Sequence, residues 1–501
     1  MELTSWFTGE TNLTWPDYGL LAALLSLSVS VGIFLGREER STSDFFLGGR
    51  QVPWWAACLS FVATEISAVT IISVPATAYL ENWEYLQFFV GSFAARLAIA
   101  FIFIPAFYRY DCTSIYEFLR HRFGPETQYC ASVLFFITRL LASGVRLMAA
   151  CLAVSVLVGW HIIPTIILFS VVSMIYISWG GIKAVVWTNV VQALTFIVGG
   201  LVTIAFIASR MDGGLVEIHR VAHEAGRLQV LNWGPSLAEL GVPEFVKRML
   251  AGPNIIWIAV LNGLFGSLAA LGTDQELMQR LLTVETRSKS QKTMLLTTVG
   301  SLLVLSIYLG IGASLFAFYE RNPSLALPAQ PDKIFPHFIG QVMPAFMRGL
   351  LLSAIVMASI DSPLGSLSTS FVTDIYRPLI RKAAADSHYL RVSRISVVAF
   401  GAVLAAIAYG FSHFERILWL AFKIGGVTYG SLLGVFVLGL LTKRRSNRGN
   451  VVGMVASAVA MLALLILSER KVIPLGWSWL VVLGTAMTLT AGWLLGERRS
   501  D

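Results

Sequence analysis

The feature that most constrains this chain is a succession of apolar runs, most of them twenty or more residues long, recurring from about residue 16 to about residue 496. A run of about 20 such residues crosses the ~30 Å hydrocarbon core of a bilayer as a helix. A water-facing surface cannot be built from what is left. Only 13% of the 501 residues are charged and 56% are hydrophobic, against roughly 25% charged in a soluble domain. The runs are continuously apolar rather than alternating, which excludes a transmembrane barrel. The fold class expected is therefore an all-α polytopic membrane protein.

Thirteen spans are predicted, at about 16–36, 53–79, 84–108, 128–158, 161–179, 184–208, 250–280, 292–318, 340–371, 389–412, 414–440, 450–468 and 474–496. Lys and Arg in the loops set the orientation. With the N-terminus outside and the C-terminus inside, 22 of them fall in inner loops and 10 in outer ones. The net charge of +8 thus reflects loop charge, and no basic stripe with interleaved aromatics suggests a nucleic-acid partner. Cys58, Cys112, Cys130 and Cys151 are too scattered to imply disulfides or a zinc site. Residues 1–15 carry Glu2 and Glu10 without a basic run, so no cleavable leader is expected. The longest outer segment, 209–249, holds His219 and His223 one turn apart. Such a pair can bind a metal on a helix, but a solvated amphipathic surface helix is the plainer reading.

Two spans look broken. A break in a spanning helix is tolerated only where it is buried in protein or lines a cavity, and in transporters breaks recur at matching places in two halves of the chain. Span two carries Glu65 mid-run among Thr64, Ile66, Val69 and Thr70, with Ser67 beside it and Pro75 further on. Span seven carries Asn262-Gly263-Leu264-Phe265-Gly266-Ser267 and then Gly272-Thr273-Asp274-Gln275-Glu276. Five spans separate the two, so spans 2–6 and 7–11 would be inverted repeats. The chain then divides into 1–52 (an extra helix and inner loop), 53–208 (first repeat), 209–249 (outer loop), 250–440 (second repeat) and 441–501 (two extra helices).

Span nine supplies a third polar cluster, in which Ser359, Ser362 and Ser366 line one helix face around Asp361. Sodium, a hard cation like calcium, wants several oxygen ligands. Hydroxyls from one helix and carbonyls freed by a break in another would supply them. Serines in membrane helices also simply allow close packing, but an intramembrane acid is a functional candidate by default.

These residues resemble the sodium/solute symporter family. The resemblance runs over nearly the whole chain through Asp44-Phe45-Phe46-Leu47-Gly48-Gly49-Arg50, Ser73-Val74-Pro75-Ala76, Trp179-Gly180-Gly181-Ile182, Val186 to Gln192, Gln275 to Arg280, Thr373-Asp374-Ile375-Tyr376, and Gly434 through Arg444. It looks closest to the sugar and sialic acid branch. The resemblance implies the inverted five-helix repeat core of the leucine-transporter type with additional peripheral helices. It implies sodium as coupling ion, no prosthetic group, and a multi-pass protein of the cell membrane whose partners are the lipid bilayer and a small solute. It also implies a sodium site made by backbone carbonyls of Ala63, Ile66 and Ile355 with the Ser359 hydroxyl, Ala358 standing where the family usually has a second serine. A second cation site would use Asp361, Ser362 and Asn189, with Asn189 at a position that is Asp in some relatives. A proton on Asp361 is the alternative.

The function expected is sodium-coupled symport of a small polar organic solute, such as a sugar, a sialic acid or another carboxylate. Proton-coupled symport and a non-transporting membrane sensor are the rivals. A sensor would be expected to append a soluble domain, and span thirteen is followed only by Glu497 to Asp501. No phosphate-binding loop, His-Glu-x-x-His or nucleophile elbow suggests an enzyme. The solute cavity should lie between spans two, three, four, seven and eleven. Candidate contacts are Glu65, Ser67, Thr70, Gln87, Asn262, Ser267 and Lys423, with Tyr85 as a gate. Arg139 and Arg146, seven residues apart, share one face of span four, and either could fork onto a solute carboxylate. An Arg there could instead neutralise Glu65, and Lys423 could pair structurally with Asp361.

Overall fold

The computed structural model describes residues 9, 11–35, 42–236, 238, 240–360, 363–414 and 416–498; the side chains of residues 33, 35, 42, 43, 176, 179, 180, 359, 360 and 498 are outside the description. It is a bundle of helices. Among the described residues, eight helices are long and apolar enough to cross a bilayer alone, and a bent pair makes a ninth span. Span one is Trp15–Leu35, three is continuous over Glu84–Arg109, and four is Pro125–Val158. Spans five and six form one run, Ile162–Ser209, interrupted at Gly181. Its φ of 47° with ψ of −168° is accessible only to glycine, so Gly181 makes the corner between them. Spans eight, ten, eleven, twelve and thirteen are Arg287–Arg321, Asp386–Phe411, Ile417–Leu441, Asn447–Glu469 and Trp479–Leu494. The segment after span six carries two short surface helices, Gly214–Glu224 and Val242–Ala251.

Span two is broken where expected. Trp54–Glu65 and Ala68–Leu80 meet at a 56° bend. Ile66 (ψ 95°) and Ser67 (ψ −179°) are extended, which interrupts the hydrogen-bond ladder. Span seven is also broken, as Ile256–Gly272 followed by Gln275–Leu282, with Asp274 capping the second helix by accepting from Glu276 N at 2.9 Å. The break thus falls at Thr273–Asp274 and not among Asn262–Ser267. Gly263 there serves packing. A Cβ on Gly263 would lie 2.1 Å from Phe88 O, and one on Gly91 would lie 2.0 Å from Val260 O. Spans three and seven therefore cross backbone to backbone, as small residues allow in membranes.

Span nine differs from the expected 340–371. Ile334–Gln341 is a separate helix, and the span begins at Met347–Ile360, continuing through Leu364–Ser370 and Phe371–Ile380. The new start is set by Asp17 on span one. Its fully buried carboxylate accepts from Phe346 N and Gly349 N, both at 3.0 Å, and pairs with Arg348 at 3.3 Å.

Candidate functional site

The two breaks face one cavity of about 250 Å³, enclosed by spans two, three, four, seven and eleven and by the segment before span thirteen. Its size approaches that of small-ligand pockets. Glu65, Ser67, Thr70, Tyr85, Asn262 and Ser267 all line it, as do Arg139 and Arg146. The sequence-level candidates are thus largely brought together, but their hydrogen bonds sort them.

Glu65 is committed. Its carboxylate takes Arg96 Nη2 and Ser301 Oγ, each at 2.5 Å. Arg96, fully buried on span three, also donates to Thr297 Oγ1 at 2.6 Å. Glu65 therefore ties the end of the first half-helix to spans three and eight, and its partner is Arg96 rather than an arginine of span four. Arg139 is held between Asp274 (3.1 Å) and Glu276, with all three side chains at most 2% exposed. Tyr429 on span eleven donates to the same Asp274 oxygen at 3.1 Å. Arg280 stands behind Glu276, donating to its carbonyl at 2.5 Å. Arg146 is different: it lies 3.8 Å from Glu276 and its side chain is 23% exposed toward the cavity. Both span-four arginines border the cavity, but Arg139 is enclosed as a clamp on the second break and Arg146 is exposed to the cavity.

Gln87 and Lys423 are not brought to the cavity. Gln87 is buried against the chain, donating to Glu84 O and Asn254 O and accepting from Asn232 N at 2.9 Å. Its amide is consumed in holding the surface segment to span three. Lys423 points the other way along span eleven. It pairs with Glu469 at 2.7 Å and lines a separate cavity. Asn262 lines the cavity while donating to Ser478 O at 2.8 Å.

Asn189 turns toward span two, donating to Ser60 Oγ (3.2 Å) and Thr64 Oγ1 (3.1 Å), and its buried Oδ1 has no hydrogen-bond partner among the described residues. Asp361 and Ser362 lie outside the described residues, as does the Ser359 side chain. Ala63, Ile66 and Ile355 are all buried. The amide of Ile66 still reaches Val62 O at 2.9 Å, and the ladder resumes with Thr70 and Ile71 amides on Ser67 O. The carbonyls between, from Ala63 to Ile66, belong to a helix end without intrahelical partners. They are the oxygen donors a hard cation requires, so the chemistry of this break fits sodium. Among the described residues no group of three or more His, Cys, Asp or Glu side chains could hold a metal. His219 and His223 are stacked on the exposed face of their helix.

Several residues that sequence reasoning passed over prove central. Arg96 carried a usable signal, since a charge inside an apolar run next to Glu65 needs a partner. Asp274 and Glu276 sat within the polar end of span seven. Trp477 carried none. It stacks on Phe88 and Phe422, with Trp419 tilted against it and Tyr85 edge-on to Phe422 and Trp419.

Two discontinuous helices around one cavity, with freed carbonyls at one break and an ionic clamp at the other, define a secondary transporter of the broken-helix type. The chain belongs to the sodium:solute symporter family, which it matches over residues 45–457. It is a sodium-coupled transporter working by alternating access, and not an enzyme. It is 29% identical over 459 residues to the sodium/sialic acid symporter SiaT of Proteus mirabilis, covering 89% of both chains. It is also 29% identical to sodium-coupled monocarboxylate transporter 2 of Danio rerio, over 88% of this chain and 70% of that protein. Among solved structures, a substrate-bound, outward-open sodium-coupled sialic acid symporter superposes with a TM-score of 0.83 at 26% identity, over 97% of this chain and all of that one. The nucleobase-cation-symport-1 transporter Mhp1 shares the fold at a TM-score of 0.56 and 13% identity, over 91% of this chain and 94% of its own.

Proposed function

We propose that the solute is a small carboxylate, with sialic acid the first to test, and that Arg146 receives its carboxylate. The observation that carries this reading is that Arg146 lines the cavity and is partly exposed to it while Arg139 is enclosed. The positive end of the Ala68–Leu80 helix opens on the same space through Ser67 and Thr70, as half-helix N-termini do toward anionic substrates. Relatives named for sialic acid and for monocarboxylates support the class.

Sodium sits between spans two and nine on the carbonyls of Ala63, Ile66 and Ile355 and the Ser359 hydroxyl; a second cation uses Asp361 and Ser362. The Asn189 Oδ1, without a hydrogen-bond partner among the described residues, supports a place for Asn189 beside them. Thirteen spans cross the cell membrane with the N-terminus outside and the C-terminus inside, and spans 2–6 and 7–11 are inverted repeats, supported by the loop charges and the two matching breaks. Calorimetric titration of sialic acid in the presence and absence of sodium tests the proposal. Binding should require sodium, and Arg146→Lys, which keeps the charge but loses the fork, should weaken it by about ten- to a hundredfold. Equal affinity of Arg146→Lys and the parent would remove Arg146 from the site.

A further inference from the structure

A second cavity, of about 520 Å³ against about 250 Å³ for the solute cavity, lies at the ends of spans two, eleven and twelve and just before span seven. Trp477 is the one described residue that borders both. The larger cavity has the volume of a small-ligand pocket and, like one, an aromatic wall with a few polar groups set in it. That wall is a corner made by Trp419 and Trp477, whose ring centroids are 5.5 Å apart with 38° between their planes.

The charges of this cavity sort by their partners. Lys423 and Glu469 take each other at 2.7 Å. Arg416 lines the same space and is exposed, and among the described residues no hydrogen bond or ion pair holds its guanidinium. Glu81 lies within electrostatic reach of it, without an ion pair between them. Asn254 adds an acceptor, since its buried Oδ1 has no hydrogen-bond partner among the described residues. Arg416 is also strained. Its φ of 54° and ψ of 58° are left-handed, a region that side chains with a Cβ seldom enter. Such strain persists only where the surroundings impose it, and it collects at ligand clamps. Here Ile417 N donates to Asp332 Oδ2 at 3.3 Å and Trp419 N donates to Arg416 O at 3.1 Å, which fixes the backbone on the helix side of Arg416.

These groups describe a ligand. A guanidinium forks onto a carboxylate. An ionised Glu and an amide oxygen accept from hydroxyls, and the indole corner covers the apolar face of a ring. A hydroxylated carboxylate uses all of them. A plain short monocarboxylate uses Arg416 alone and brings its charge toward Glu81 with nothing to offset it.

We propose that this cavity is a second binding site for a hydroxylated carboxylate, with Arg416 receiving the carboxyl group and Glu81 and Asn254 accepting from the hydroxyls. The choice of ligand rests on the reading of the transported solute as a carboxylate such as sialic acid.

Equilibrium dialysis of radiolabelled sialic acid against purified protein in saturating sodium tests it. The parent should bind two molecules per chain, one tightly at the solute cavity and one more weakly here. Arg416→Gln should weaken the second class at least tenfold and leave the tight class and the melting temperature unchanged. Gluconate should displace the second class at about a tenfold lower concentration than propionate, which lacks the hydroxyls. Absence of any class that follows Arg416→Gln overturns the proposal, as does equal displacement by gluconate and propionate. A class that follows Arg416, with Arg146→Lys changing nothing, keeps this site and removes the Arg146 reading. A single class that follows Arg146 and ignores Arg416 does the reverse.

Discussion

Charges inside an apolar bundle have to be matched one by one, and the matches decide which residues are structural. Arg139 is fixed between Asp274 and Glu276 with almost no exposure. Removing one member of a buried pair typically costs about 3–5 kcal/mol because its partner is left uncompensated. Arg139→Met should therefore lower the melting temperature sharply, whereas Arg146→Lys should leave it nearly unchanged and act on solute affinity. Thermal unfolding of the two variants side by side checks the division. Lys423 and Glu469 are 29% and 53% exposed, and exposed pairs are worth about 0–1 kcal/mol. Lys423→Met should accordingly change neither stability nor transport appreciably. A large loss of uptake in that variant would return Lys423 to the transport path. Sequence reasoning located these charges but could not assign their partners. Arg139 and Arg146 share a face at seven-residue spacing, and only the position of the second break decides which of them Asp274 and Glu276 enclose. Gln87 looked like a solute ligand for the same reason: its partners, Glu84, Asn232 and Asn254, come mostly from segments that fold over it from far along the chain.

At the level of elements, the broken spans were legible because their residues violate the composition of a spanning helix. Glu65 and Ser67 mark the first break directly. In span seven the glycines and the polar residues mark two different things, a helix crossing at Gly263 and a break at Thr273–Asp274, and a linear pattern does not separate them. The distinction is testable. Ala at Gly263 would place its methyl 2.1 Å from Phe88 O, and overpacking of this kind costs typically 1–3 kcal/mol. Gly263→Ala should destabilise the protein and, by pushing span three off span seven, impair closure of the cavity. Gly266, whose Cβ would come no closer than 3.6 Å to a neighbour, should accept alanine with little loss of melting temperature. The surface helix Gly214–Glu224 is tied down by charge. Hydrogen bonds from Arg220 and then Arg321, at the end of span eight, hold the Glu217 carboxyl down to about 2. A depressed carboxylate contributes stability above its unfolded value near 4.5, and that contribution is lost as pH falls from there toward 2. Protection of the amides in 214–224, taken relative to their intrinsic exchange rate at each pH, should therefore fall in acid over that window and stay constant above pH 5. Glu217→Gln should be weakly protected at every pH.

Across the whole molecule, the polytopic helical class, the family and the two broken spans followed from the pattern of apolar runs and from motif order. The share of Trp477 in the cavity wall did not. It depends on how the last two helices pack against span seven, which no local pattern in 441–501 encodes. The central claim is that solute movement is driven by sodium bound where span two breaks against span nine. The most direct test is uptake of radiolabelled sialic acid into proteoliposomes carrying the purified protein, with an inward sodium gradient or sodium-free buffer at equal pH on both sides. The parent protein should accumulate solute above the outside concentration only with the gradient. Ser359→Ala should need a several-fold higher sodium concentration for half-maximal uptake. Accumulation that persists undiminished without sodium would contradict the account.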